Sequence, residues 1–209
     1  MNVLRMAEAD FHERLEFAPE DCFRPATLAD VFPDRPEAPA ELDLGCGDGG
    51  FLLALARAFP ERNFLGVERL LGRVRRVCRL AERTGLSNVR ILRLETGYTV
   101  RWLLPRERFR RVHLLFPDPW PKKKHRERRL VTPAFAGAAR DLLEPGGEFL
   151  FKSDHEDYFA AAADVLRATE GWVELPWEEG AFPYPETDFE RRWRREGKGI
   201  RRLRLGRLP

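Results

Sequence analysis

Early in the chain, the segment Asp43-Leu44-Gly45-Cys46-Gly47-Asp48-Gly49-Gly50 places four glycines between two apolar runs of different length. The run before it, Glu41 to Leu44, is as long as a short strand. The run after it, Phe51 to Phe59, is as long as a helix and meets Pro60 just past its end, where a proline stops helical pairing. A strand that turns at once into a helix needs residues without side chains. Backbone can then approach a ligand, and the helix N-terminus can aim its free N–H groups at it. Gly45, Gly47 and Gly50 satisfy G-x-G-x-x-G, the spacing of a turn that cradles a nucleotide.

The segments that follow repeat the strand-then-helix unit. Residues 63–68 read as a second strand, 69–85 as a helix closed by Gly85, and 88–94 as a third strand. A short helix over 96–104 precedes a fourth strand at 111–116. A helix over 132–147, stopping at Pro145 and its glycines, leads to a fifth strand at 148–153, a helix at 155–171, a Pro-rich loop, and a closing strand near 200–205. Such alternation requires parallel strands joined by crossover helices, hence a three-layer α/β sandwich, with ligands beyond the carboxyl ends of the strands where strand order reverses. Residues 1–40, with Pro19, Pro25, Pro33, Pro36 and Pro39 and no sustained periodicity, read as an irregular N-terminal arm with one helical turn. Residues 41–209 are expected to form one domain, since 209 residues suffice for a single sizeable core.

Net charge is only +3, but positive charge is bunched. Residues 101–129 hold eleven Lys or Arg against three acids, and residues 187–209 hold nine against three, so the rest of the chain is acidic. A polyanion-binding face on an acidic body has this asymmetry; solvated arginine-rich helices of a heat-adapted protein share it. The three cysteines, Cys22, Cys46 and Cys78, lack Cys-x-x-Cys spacing or a nearby His, so free thiols are expected, with neither disulfides nor a metal site. No apolar run approaches the ~20 residues of a membrane span, and the first residues mix acids and bases unlike an export signal, so the expected location is the cytoplasm.

Three acids stand where a nucleotide ligand would need them. Asp43 lies in the first strand, two residues before the first glycine, where a carboxylate can reach a cationic or amino-bearing ligand. Glu68 ends the second strand and can accept both hydroxyls of a ribose; Glu95 follows the third, within reach of an adenine ring. Glycine spacing and Glu68 suit a nicotinamide dinucleotide as well as S-adenosylmethionine. D-L-G-C-G-D-G followed by G-V-E resembles the first two motifs of Rossmann-like class I methyltransferases. This resemblance implies a seven-stranded, mostly parallel sheet and S-adenosylmethionine as cofactor, with Gly45 and Gly47 at its site.

The fourth strand runs into Phe116-Pro117-Asp118-Pro119-Trp120-Pro121, followed by Lys122-Lys123-Lys124-His125-Arg126-Glu127-Arg128-Arg129. Two prolines bracket Asp118 and stiffen the backbone around it, Trp120 offers a flat face to a base, and the basic run behind them is a phosphate-binding strip. FPDPWPKKKHRERRL resembles the signature of tRNA (guanine-N7-)-methyltransferases, and the similarity runs from about Glu41 to the end of the sequence. Lys152-Ser153-Asp154 and Thr187-Asp188-Phe189-Glu190 agree with it, the latter with the family's Thr-x-x-Glu element. The resemblance implies tRNA as partner, with methylation of the variable-loop guanine, and assigns roles. Asp43, Glu68, Glu95 and Asp118 would contact the cofactor, Asp118 at the reacting centre. Lys122, Asp154, Thr187, Asp188, Phe189 and Glu190 would contact substrate, and Lys124, His125, Arg126, Glu127, Arg128 and Arg129 would face RNA. Asp43 and Glu95 stand where many relatives carry Glu and Asp, which changes reach but keeps charge.

Guanine N7 carries an in-plane lone pair, so such a reaction needs no base to remove a proton; carboxylates at Asp118 and Asp154 would stabilise the cationic purine, and Glu190 or Asp154 could select guanine through N1–H and its exocyclic amine. Rival readings are an amino-methyltransferase, an oxidoreductase and a non-catalytic RNA-binding module. Asp118-Pro119-Trp120 matches only part of the tetrapeptide of the first, and the second lacks an evident Tyr-x-x-x-Lys. The protein is expected to act as a monomer or homodimer.

Overall fold

The computed structural model describes residues 15–177, 180 and 184–209, with the backbone alone at Asp188. Eight strands among the described residues form one sheet: β1 (Glu16–Phe17), β2 (Ala40–Leu44), β3 (Asn63–Val67), β4 (Val89–Leu92), β5 (Phe109–Leu115), β6 (Leu143–Ser153), β7 (Trp172–Leu175) and β8 (Arg201–Arg207). Their order is β1-β4-β3-β2-β5-β6-β8-β7. All neighbours are parallel except β8 against β6 and β7. The chain runs outward from β2 through β3 to β4, then returns to β5 on the other side of β2, which places the topological switch between β2 and β5. The sheet is thus the expected mostly parallel one, with a two-residue strand from the arm added at its edge.

Helices α1 (Leu28–Val31), α2 (Gly50–Ala58), α3 (Leu71–Arg83), α4 (Thr96–Tyr98), α5 (Pro133–Leu142), α6 (Glu156–Ala168) and α7 (Asp188–Arg195) flank the sheet. The helical turn expected in the arm is α1, started by a capping box between Thr27 and Asp30. Its Leu28, Val31 and the following Phe32 join the main core, so this part of the arm packs as an integral part of the fold. Residues 96–104 split into the single turn α4 and a π-helical turn, Thr99–Leu103. The helix expected to reach Pro145 ends at Leu142, because Leu143 takes extended backbone and pairs with Phe109. Strand β6 therefore starts before Pro145 and passes a register shift opposite Phe109 and Arg111. A side chain at Gly147 would lie 2.9 Å from the Glu144 carbonyl and 3.1 Å from that of Arg110, so the crowded bend needs glycine.

Strand alternation sorts the two faces of the sheet. Leu42, Leu44, Val112, Leu114, Phe149, Phe151, Leu203 and Leu205 point to one side and meet α5 and α6 there. The opposite side is apolar where α2 and α3 cover β3 and β4. From β2 onward it is a polar stripe: Glu41 and Asp43, Arg111 and His113, Glu148 and Lys152, and Arg204. Glu41 is buried, accepting from His113 Nε2 at 3.0 Å and Arg62 at 2.9 Å. Burial opposes ionisation of Glu41, yet these partners and Arg111 hold its carboxyl at about 2, while burial lowers His113, leaving a neutral ring that donates its Nε2–H. Phe51 of α2 and Tyr184 cover this stripe, their rings 4.9 Å apart and each packed on His113.

Candidate active site

A cleft of about 470 Å³ opens at the switch, beyond the carboxyl ends of β2 and β5. Asp43 lies at its base, 3% exposed, with no hydrogen-bond or ion-pair partner among the described residues. Burial alone pushes its carboxyl up to about 7. A carboxylate left in this condition favours a cation arriving in the cleft.

The glycine turn forms one wall. Gly45, Gly47 and Gly49 have φ of 77°, 57° and 77°, a left-handed backbone that side chains disfavour. A Cβ on Gly45 would meet nothing within 4 Å, whereas one on Gly49 would lie 2.6 Å from Val77 of α3. Gly50, the third glycine of the spacing pattern, is instead the first residue of α2, and Gly49 is its N-cap.

Glu68 and Glu95 stand at the ends of β3 and β4 and both line the cleft. One oxygen of the buried Glu68 accepts the Leu70 N–H at 2.8 Å, and the other faces Arg73 at 3.6 Å. Glu95 accepts the N–H groups of Gly97 and Tyr98 at 2.8 and 2.6 Å, so it caps α4 as well as forming the rim. Arg69, Leu70, Arg73 and Arg128 also line the cleft.

The segment after β5 is held in an uncommon shape. Phe116 and Trp120 have φ of 53° and 42° on either side of Pro117-Asp118-Pro119, each costing on the order of 1–3 kcal/mol. Asp118 is exposed on the rim. What holds this loop is Arg129, which was expected to face RNA. Its Nε donates to the Pro119 carbonyl at 2.9 Å, its Nη2 donates to Asp157 at 2.9 Å, and its guanidinium lies 5.0 Å from the Tyr158 ring. With only 9% of its side chain exposed, Arg129 braces the loop from beneath. Arg126 shares Asp157 but stays at the surface. Lys123–Arg128 is a 3-10 helix on which Lys123, Lys124, Glu127 and Arg128 are exposed, as is Lys122 before it; the His125 ring packs edge-on against Trp120, and Arg128 lies 5.1 Å from the centre of that ring.

Thr187 and Phe189 reach the cleft from the C-terminal part, and Phe189 stacks on Phe116 with centroids 5.9 Å apart. The side chain of Asp188 lies outside the described residues. Glu190 is buried, bonded to Lys152 and to the Thr187 N–H, and does not line the cleft. Neither do Lys122, Lys124, His125, Arg126 or Glu127, nor the half-buried Asp154 just past β6. Lys152 and Phe116 were named from sequence only as parts of motifs, with no role of their own, and Tyr184 was not singled out; buried partners far apart in the chain leave no local signal. A larger cavity of about 840 Å³, lined by arm residues and Arg90, shares no residue with this cleft. No helix among the described residues is long and apolar enough to cross a membrane, and no group of three or more potential ligands for a metal ion occurs among them.

A glycine turn at the switch point above a buried, unpaired acid is a Rossmann-like arrangement, and the architecture is that of solved class I methyltransferases. The structure of the 16S rRNA methyltransferase KamB superposes with a TM-score of 0.60 at 20% identity, covering 82% of this chain and 88% of that one. A family model described as "Putative methyltransferase" matches residues 37–203. The tRNA (guanine-N(7)-)-methyltransferase of Syntrophotalea carbinolica is 35% identical over 91% of this chain and 82% of its own length. That of Halorhodospira halophila is 39% identical over 79% and 74%. The chain belongs to the tRNA (guanine-N7-)-methyltransferase family.

Proposed function

We propose that the protein transfers a methyl group from S-adenosylmethionine to N7 of a guanine in tRNA, the variable-loop guanine, forming 7-methylguanosine, and that it does so in the cytoplasm. The observation that carries this reading is the lone, buried Asp43 beneath the glycine turn, with Asp118 on the rim and exposed lysines behind it. The residues fit the methyl donor: Asp43 would receive its amino group, the open space at Gly45 admits close approach, Glu68 would hold the ribose hydroxyls, and Glu95 would border the adenine. S-adenosylmethionine supplies an activated methyl on a sulfonium centre.

Because N7 presents its own lone pair, the protein's task is placement. Holding the reacting atoms in line can lower the barrier by roughly 7–11 kcal/mol. Phe116 and Trp120, locked in left-handed backbone, and Arg129 beneath them fix Asp118 where purine charge grows, and a fixed carboxylate stabilises that charge without reorganisation. Asp154, just past the neighbouring strand end, would accept from guanine N1–H and the exocyclic amine. Phe189, half exposed beside Phe116, would offer a stacking face. Lys122, Lys123, Lys124 and Arg128 would track the phosphates, and the target base would leave its stack to enter the cleft.

The test is incubation of unmodified tRNA with labelled S-adenosylmethionine, followed by chain cleavage selective for 7-methylguanosine. One labelled site at a variable-loop guanosine is expected. Label on an exocyclic amine or on another nucleotide would overturn the reading.

A further inference from the structure

Thr187 and Phe189 stand at the cleft, yet the chain that delivers them leaves from β7, at the far edge of the sheet. Between β7 and β5 lie β8 and β6, so the segment after Leu175 must travel back across about 14 Å of sheet at ~4.8 Å per strand. Helix α7, which it enters, has eight residues and exposes most of its arginines, too short and too polar to hold its place alone. Its attachment is at its first turn. Lys152, the penultimate residue of β6, and Glu190, the third residue of α7, form an ion pair in which both side chains are about 95% buried. The ammonium also lies 4.1 Å from the Tyr184 ring centre and 5.0 Å from that of Trp177, so these two rings cover it.

Glu190 has no idle oxygen in this arrangement. One binds Lys152; the other accepts the Thr187 N–H at 2.9 Å, while the Thr187 hydroxyl accepts the Glu190 N–H at 3.0 Å. This is a capping box, and it fixes Thr187 and Phe189 relative to the carboxylate that is itself fixed to β6. We propose that Lys152 and Glu190 are positioning residues, a latch that holds Thr187 to Phe189 over the cleft, and that Glu190 serves guanine methylation through this placement without touching the base. The proposal rests on the functional reading above. It accounts for a carboxylate that does not line the cleft and whose two oxygens are both already engaged, and removing either partner strands the other charge away from water, which opens the segment.

The experiment compares Lys152→Met, Glu190→Gln and the double variant with the wild-type chain, using tRNA that carries guanosine or inosine, which lacks the exocyclic amine, at the target position. A latch predicts that both single variants lose at least tenfold in kcat/KM for tRNA, that the double variant is no worse than the weaker single, and that the guanosine-to-inosine ratio stays at its wild-type value in all. Amide hydrogen exchange over residues 184–196 should quicken in both singles while β2 to β5 keep their protection. Loss of guanosine preference in Glu190→Gln, or a Lys152→Met variant as active as wild type, would overturn the latch, as would unchanged exchange in that segment. If the wild-type protein forms no 7-methylguanosine, the functional reading fails, and exchange alone decides the latch.

Discussion

Replacing Asp43 by asparagine should stabilise the protein by an amount that depends on pH. The carboxyl titrates at about 7 in the folded chain against 3.8 as its ordinary value, and burial is the whole cause. Between those values the folded state holds a proton that the unfolded state has released, so stability falls as pH rises through the window and the loss is complete above 7. At about 1.4 kcal/mol per unit, the raised titration of this carboxyl costs the folded state about 4 kcal/mol at pH 8 and under about 2 kcal/mol at pH 5. Asparagine does not titrate. The gain of Asp43→Asn over wild type should therefore be about 3 kcal/mol larger at pH 8 than at pH 5, whatever constant cost the amide brings. Urea denaturation of both proteins at the two pH values measures this difference directly. The same substitution should weaken binding of S-adenosylhomocysteine, whose amino group keeps its charge. Calorimetric titration at pH 6 in buffers of different ionisation heat should show the wild-type protein releasing close to one proton on binding and the variant none. An equal stability change at both pH values would refute the reasoning, because it would mean that Asp43 is hydrated or paired.

Three other perturbations test separate parts of the site. Asp118→Ala should lower kcat by about 100-fold or more while circular dichroism stays that of the wild type; turnover within a few-fold of wild type would remove Asp118 from the reacting centre. Replacing Lys122, Lys123 and Lys124 together by alanine should reduce the slope of log affinity for tRNA against log salt by about 2, whereas Arg129→Ala should leave that slope alone and loosen the loop. Gly49→Ala combines a left-handed backbone with a Cβ 2.6 Å from Val77, and should cost at least about 2 kcal/mol, lowering Tm by about 4–8 °C in a calorimetric scan.

The order of strands and helices was legible because each carries its own period, and the cleft acids were legible because strand ends converge at a switch point. What local pattern could not supply was the partner of each group. The spacing of glycines marks Gly50, but the left-handed backbone falls on Gly49, since the need for glycine there comes from Val77, a residue of another helix. Arg129 sits in a run of cations, so its place beneath Pro119 depends on Asp157 and Tyr158, nearly thirty residues further on. Glu190 is instructive in a different way. Thr-x-x-Glu before a helical stretch is the pattern of a capping box, so its intrahelical bond was readable from four letters; the ion pair with Lys152 was not, because 38 residues separate them. Helix α5 ends before Pro145 for a similar reason, as Leu143 obeys its pairing with Phe109.

Strand β8 is the eighth in chain order but lies between β6 and β7. A ribosome therefore delivers the outer strand before the one that must sit inside it, and β7 has no neighbour to bond until β8 emerges. The parallel half of the sheet, with the glycine turn and Asp43, can form while the other margin is still open. Nascent protein would carry an assembled cleft floor before the segment bearing Thr187 and Phe189 is fastened across it, so closure of that margin follows formation of the parallel half.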